Sequence, residues 1–410
     1  MFIQRDIAKT LNRSPAWIQI LLGPRQCGKS TLFASLYGDG LSAHRPDFHE
    51  ISFDDLQLRQ LANRDPALFL QQFAPPLLLD EVQYVPNLFP ELKKKIDQLK
   101  RAALFQNTPA ATKVLFRLTG SNQILMDKNI HESLAGRASY YYLNTLTVHE
   151  ILTALPGTSI NTILFKGGWP ELYTNNDLPV TNYLNDYVRS YVEKDIVMSA
   201  GIRRMGDFHV VLGLLAARTG LQTDYSAIAN DSGINAVTIK EWVSLLERAD
   251  LVYLLKPYFN NLNKRLIKTP KLYFLDTGLA TRLQGWSDPL PLLNSPQAGA
   301  LFETLVFAEI IKFMRNYQKD WQLFFWRTKE GEEIDFVIKT TAGNVHAFEV
   351  KLSIQGIPKA ISYPAAFRKT FSPTTPLMIV TFGGEAMQLS AECKTLPVAK
   401  LHDYLKTIHD

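Results

Sequence analysis

The chain has 410 residues, 46% hydrophobic and 20% charged, with 44 Lys and Arg against 39 Asp and Glu and a net charge of +5. That length is too great for one compact core and predicts several domains, at roughly 100–200 residues each. Cys27 and Cys393 are the only cysteines, which excludes a disulfide framework and a cysteine-rich zinc module. The N-terminal stretch lacks the basic-then-apolar layout of a secretory signal, and no run is apolar enough to span a bilayer. The expectation is a cytoplasmic protein that does not engage a membrane.

The first predicted strand is "WIQILL", and the predicted helix after it begins "STLFASLY". Between them, Gly23 to Ser30 reads G-x-x-x-x-G-K-S, a phosphate-binding loop in the strand–loop–helix context that such a motif requires. Gly23 and Gly28 let the backbone curl so that its N–H groups face phosphate oxygens, and the helix N-terminus adds partial positive charge. Pro24, Arg25, Gln26 and Cys27 complete the cradle, with Thr31 at the helix start; the backbone of Cys27 matters more here than its sulfur. Lys29 is placed to reach the β- and γ-phosphates of ATP, and the Ser30 hydroxyl to bind Mg²⁺.

Next, "PPLLLDEVQYV" predicts a buried strand that delivers two acids to its C-terminal edge, where open α/β sheets bind ligands. Asp80 suits the Mg²⁺ shell, and Glu81 suits polarising the attacking water. A third apolar strand, "KVLFRLTGSNQ", ends in Ser121 and Asn122, neutral polar groups placed to touch the γ-phosphate or the water. Downstream, Arg137 closes "HESLAGRASYYYL".

Strand, loop and polar tip together resemble the AAA+ class of ATPases. In that class the strand with the polar sensor lies between the phosphate-loop strand and the acidic strand. The resemblance gives Asn122 the sensor role. It offers Arg137 a reach toward a neighbouring subunit's γ-phosphate in a homo-oligomer, with an internal salt bridge as the alternative. The order "GPRQCGKST", "LLLDEVQ", "LTGSNQ", "ESLAGRA", "FKGGWPELY" and "YVEKDI" narrows it further. It resembles a family of bacterial and archaeal AAA-type ATPases with a C-terminal domain of unknown function. The role of Gly167-Gly168-Trp169-Pro170 is left open, Trp169 suiting either the nucleotide base or the core of a lid.

Behind this core, 147–205 predicts short helices forming a lid. From 206 the chain reads helix, short helix, glycine turn, helix and hairpin, the winged-helix pattern. The outward face of the last helix offers Lys240, Glu241, Ser244, Glu247 and Arg248, a mixed set for a groove-entering helix. The hairpin "KPYFNNLNKRLIKTPK" carries Lys256, Lys264, Arg265, Lys268 and Lys271 and no acid. It reads either as a phosphate-contacting patch or as a solvated hairpin. The proline- and serine-rich 284–298 reads as a linker.

The final segment predicts a helix bearing Glu303, a hairpin bearing Asp335, and a strand "HAFEVKLS" on which Glu349 and Lys351 project from one face. This set resembles the PD-(D/E)xK nuclease fold, although "EEID" lacks the proline of the motif's name. Like charges ~4 Å apart cost roughly 4 kcal/mol at an effective dielectric near 20. Three carboxylates with one ammonium therefore point to a divalent metal on Asp335, Glu349 and Glu303, with Lys351 serving the nucleophile.

The expected fold class is α/β: a P-loop AAA+ core over 1–146, a helical lid over 147–205, a winged-helix domain over 206–283, a linker over 284–298 and a nuclease-like α/β domain over 299–410. The expected function is ATP hydrolysis with Mg²⁺ coupled to nucleic acid, DNA ahead of RNA. The alternative is an ATP-switched protein-interaction module whose nuclease-like domain is inactive.

Overall fold

The computed structural model describes residues 1–37, 49–105, 114–120, 134–197, 202, 204–258, 269–353, 362–371, 373 and 375–410. The chain divides into two compact units. One is Gln4–Asn144 with Arg315–Tyr317; the other is Met1–Ile3, Thr145–Met314 and Gln318–Asp410.

In the first unit, β1 (Ile18–Leu22), β2 (His49–Ser52), β3 (Leu77–Asp80), β4 (Phe116–Thr119) and β5 (Ala138–Tyr142) form one parallel sheet, in the order β2-β3-β4-β1-β5. All five residues of β1 are buried, as an apolar run covered on both faces of a parallel sheet should be. Ile18, Ile20, Leu22, Leu77 and Leu79 pack on Phe89, Leu92 and Ile96 of the helix Leu88–Phe105. Leu21 and Leu78 face the other way, onto Leu32 and Phe33 of the helix Lys29–Ser35. The acidic strand β3 and the phosphate-loop strand β1 thus flank β4, the placement that the AAA+ resemblance implies. Leu21 pairs with Thr119 and Leu79 with Leu118, so the three strand ends finish beside one another at the ligand-binding edge.

The second unit opens with short helices: Val148–Ala154, Ile160–Lys166, Glu171–Thr174 and Val180–Tyr187, the last continuing as a π-helix over Val188–Val197. The sequence "KGGWP" packs among them. A side chain on Gly168 would put its Cβ 2.3 Å from the Leu146 carbonyl oxygen. The Gly168 N–H donates to Asp276 Oδ2 at 2.9 Å, and the Thr145 hydroxyl donates to the same oxygen at 2.7 Å. Trp169 is 1% exposed and packs on Tyr187, with ring centroids 4.2 Å apart. Of the two roles left open for it, packing in the core of these helices is the one that this burial supports.

Helices Met205–Ala217, Tyr225–Ser232 and Ala236–Arg248 follow, then an antiparallel pair, β6 (Val252–Leu255) and β7 (Lys271–Phe274). Ile239, Trp242, Val243 and Leu246 are buried, while Lys240, Glu241, Glu247 and Arg248 are exposed. Beyond β6 the chain bridges in parallel to the last sheet: Tyr258 N–H donates to the Phe325 carbonyl at 2.7 Å. The tip with Lys264, Arg265 and Lys268 lies outside the described residues. The proline-rich 284–298 holds a short helix, Pro289–Leu293, capped by the Asp288 carboxylate.

The chain ends with the helix Ala298–Asn316 and a six-stranded mixed sheet of β8 (Gln322–Arg327), β9 (Glu333–Lys339), β10 (Val345–Lys351), β11 (Leu377–Thr381), β12 (Gln388–Ser390) and β13 (Cys393–Pro397), ordered β12-β13-β11-β10-β9-β8. Among the described residues no helix is long and apolar enough to cross a membrane.

Candidate functional site

The phosphate loop leaves β1 at Gly23, whose φ of +148° and close approach to the Leu143 carbonyl admit no side chain: a Cβ would sit 2.1 Å from that oxygen. The loop ends at Gly28 in the left-handed region, and the helix Lys29–Ser35 starts there. The loop is held from below. Buried Arg5 donates from one guanidinium nitrogen to the Cys27 carbonyl at 2.8 Å and from the other to the Asn144 carbonyl at 2.7 Å. Buried Cys27 lies with its Sγ 3.4 Å from the Leu143 carbonyl oxygen, so the thiol packs inward.

Lys29 Nζ lies within the loop, donating to the Gly23 carbonyl at 3.0 Å and the Pro24 carbonyl at 2.7 Å. The Ser30 hydroxyl donates to Asp80 Oδ2 at 2.7 Å. Asp80 Oδ1 accepts from the Thr119 hydroxyl and, at 3.1 Å, from the Glu81 N–H. Two oxygen donors, a hydroxyl and a carboxylate, therefore meet beside an ammonium, a set that fits a hard divalent cation on a phosphate chain. Glu81 is left-handed at φ +56°, and its carboxylate accepts from the Gln83 amide. Pro24 is buried, Arg25 half-buried, and Gln26 and Thr31 are exposed around the same loop.

Sequence alone assigned Arg5, Thr119 and Gln83 no role, although Gln83 and Thr119 lie inside "LLLDEVQ" and "LTGSNQ". Thr119 is the last residue of β4, two positions before the polar tip that the sequence singled out. Arg5 acts across 22 residues. Ser121 and Asn122, expected as the polar tip, lie outside the described residues. Arg137 forms a two-pronged ion pair with Asp97, Nε to Oδ1 at 2.7 Å and a terminal nitrogen to Oδ2 at 2.9 Å. That hydrogen bond holds the Asp97 carboxyl below the usual range and the arginine above its own.

A second constellation lies in the other unit. β9 and β10 are antiparallel neighbours, and they bring Asp335 and Glu349 together. Asp335 Oδ2 accepts from the Val350 N–H at 2.8 Å, and Lys351 Nζ donates to Glu349 Oε2 at 3.0 Å. Burial, then the charges of Glu349 and Glu303, push Asp335 well above the usual carboxylate range; burial raises Glu349 as well, against Lys351.

The charge count differs from the one expected. Lys271, read from sequence as part of an exposed basic patch, turns inward. Its ammonium lies 3.1 Å from Glu303 Oε1 and 2.6 Å from Glu333 Oε1. The Tyr273 hydroxyl also donates to Glu303 Oε1. Among the described residues, Glu303, Asp335 and Glu349 do not close into one three-carboxylate cage.

Residues 16–152 match the family model described as AAA domain. Residues 157–290 and 298–401 match two models described as domains of unknown function, DUF8612 and DUF4143. An uncharacterized protein of Mycobacterium bovis is 29% identical over 357 residues, covering 85% of this chain and 74% of that one. One of Methanocaldococcus jannaschii is 23% identical over 364 residues, covering 82% and 76%. Among solved structures, the ORC2 protein of Aeropyrum pernix, in ADPNP and ADP complexes, overlays with a TM-score of 0.36 at 14% identity, over 68% of this chain and 90% of that one. The matched AAA domain spans the parallel sheet and the phosphate loop with Asp80, Glu81 and Thr119, so this chain carries a P-loop AAA-type ATPase domain followed by a C-terminal domain of unknown function.

Proposed function

We propose that the chain binds ATP with Mg²⁺ at Gly23–Thr31, hydrolyses it, and uses the cycle to act on nucleic acid, DNA ahead of RNA. The observation that carries the first part is the convergence of Ser30, Asp80 and Lys29 at one sheet edge. Bound Mg²⁺ would neutralise charge on the β- and γ-phosphates; Ser30 and Asp80 would hold it. Lys29 exchanges its two loop carbonyls for phosphate oxygens. Glu81, clamped by Gln83, orients the attacking water, and Asn122 senses the γ-phosphate. Arg137 leaves Asp97 to reach a neighbouring subunit when copies assemble.

Nucleic acid is the proposed substrate because the helix–turn–helix and hairpin order suits a winged helix. The helix acid, strand acid and E-x-K order suits a nuclease-like fold with Asp335 and Glu349 on one divalent ion. A second reading, an ATP-switched docking module, is favoured by the mixed exposed face from Lys240 to Arg248 and by the inward turn of Lys271.

ATP turnover with and without duplex DNA, single strands and RNA separates them. The nucleic-acid reading expects turnover to rise with DNA, and Glu81→Gln to keep binding ATP while losing at least about a hundredfold in turnover. Native-rate turnover by Glu81→Gln removes this base. Turnover indifferent to every nucleic acid favours the docking module.

A further inference from the structure

β7 carries Lys271 and Tyr273 two positions apart, on one face of the strand, and both reach Glu303 of the helix Ala298–Asn316. Lys271 also reaches Glu333, at the start of β9. Its side chain is 7% exposed, so its ammonium is nearly out of water. A buried charge is kept only where it is paired. Here two carboxylates pair it, and with Asp335 they hold its proton more firmly than in water despite burial.

The balance of the whole cluster follows. Four acids, Glu303, Glu333, Asp335 and Glu349, face Lys271, Lys351 and Arg327, the last 3.6 Å from Glu333. With every acid ionised, four negative charges against three positive leave one. Without Lys271 the excess is two, the charge of a divalent ion.

We propose that Lys271 is the resident cation of this carboxylate cluster, standing on Glu303 and Glu333 where a divalent metal would otherwise bind and so limiting how many ions the cluster takes and how tightly. The inference rests on the nuclease-like reading only for the identity of the remaining metal ligands. Lys271 acts here as a specificity-determining residue. It comes from the hairpin and not from the domain that supplies the acids, so it ties the metal capacity of one to the placement of the other.

The experiment is calorimetric titration of Mn²⁺ into the nucleotide-free full chain, with Asp80→Asn in every arm to silence the phosphate loop. Lys271→Met keeps the stem and deletes the charge. It is expected to bind Mn²⁺ at least ten times more tightly than the Lys271 chain, or to take one more ion. Lys271→Arg, which restores the charge, is expected to return to the Lys271 behaviour. Identical binding by Lys271 and Lys271→Met overturns the proposal and leaves the metal reading of Asp335 and Glu349 standing. Binding by Lys271→Met alone upholds the proposal and removes that reading for the native cluster. Binding by neither removes both.

Thermal unfolding with and without Mn²⁺ covers a folding defect. Lys271→Met is expected to be less stable than the Lys271 chain and to recover with Mn²⁺. A variant that fails to fold in both conditions makes Lys271 a structural counter-ion only and overturns the proposal.

Discussion

The two charged constellations in this chain are built on opposite principles. At the phosphate loop, the cation and the acid each rest on neutral groups: Lys29 is parked on two carbonyls of its own loop, and Asp80 on hydroxyls and an N–H. At the C-terminal cluster, cations and acids are paired with one another, Lys271 with Glu303 and Glu333, and Lys351 with Glu349. The first arrangement leaves charge to be satisfied by a ligand. The second satisfies it internally. Loss of a charge should therefore cost function at the first and stability at the second.

Lys29→Ala is the widest test of this difference. It removes the ammonium that faces the β- and γ-phosphates, so ATP affinity should fall at least about a hundredfold and turnover should vanish. Folding should be little affected, because the partners it leaves behind are two loop carbonyls that water can reach once the side chain is gone. Fluorescent-nucleotide titration and thermal unfolding on one preparation check both halves. A variant that unfolds early while still binding ATP would reverse the comparison.

The same difference explains what was readable in the sequence. The phosphate loop occupies eight consecutive residues, and its chemistry is local, so strand, loop and helix could be named in order. The sheet order follows from the resemblance that those residues support. Lys271 meets Glu303 and Glu333 across 32 and 62 residues, and nothing near "TPKLYF" marks that lysine as inward. In sequence it sits in a run of basic residues and reads as one of them. Its burial is set by β7 pairing with β6, by the Gln222 bridge and by the helix that lies across it, which are tertiary facts. The glycine pair before Trp169 was visible as a constraint, yet its partners, Leu146 and Asp276, are far away in the chain.

Glu309 sharpens the comparison, because it is a buried acid with incomplete pairing. Its Oε2 accepts from the Val148 N–H at 2.9 Å, and Lys312 stands 3.6 Å from Oε1. Burial outweighs both and pushes its carboxyl up to about 7. The folded chain then holds a proton that the unfolded chain has lost, from about pH 4.5 to about 7. Unfolding therefore releases a proton in that window, and stability falls as pH rises through it, by up to a few kcal/mol, then levels off above. Glu309→Gln should remove this fall. Urea midpoints for native and variant between pH 5 and 8 decide it: parallel curves would mean that Glu309 is charged throughout.

The smallest effect expected is also the most specific to the paired cluster. Tyr273 is fully buried, its ring stacks on Phe307 with centroids 4.3 Å apart, and its hydroxyl donates to Glu303. Tyr273→Phe keeps the ring and deletes one donor to a carboxylate that Lys271 still holds. The loss should be about 1–2 kcal/mol, a hydrogen bond to a charged acceptor with no cavity behind it. The denaturant midpoint should drop while its slope stays constant, since no additional surface is exposed. ATP binding should not change, because the phosphate loop is satisfied by its own residues. If Glu303 needs both donors to stay charged in so buried a place, losing one should also loosen Lys271, and combining Tyr273→Phe with Lys271→Met should cost less than the two separate losses added together. Strict additivity in that double-mutant cycle would show two independent contacts in place of a shared cluster.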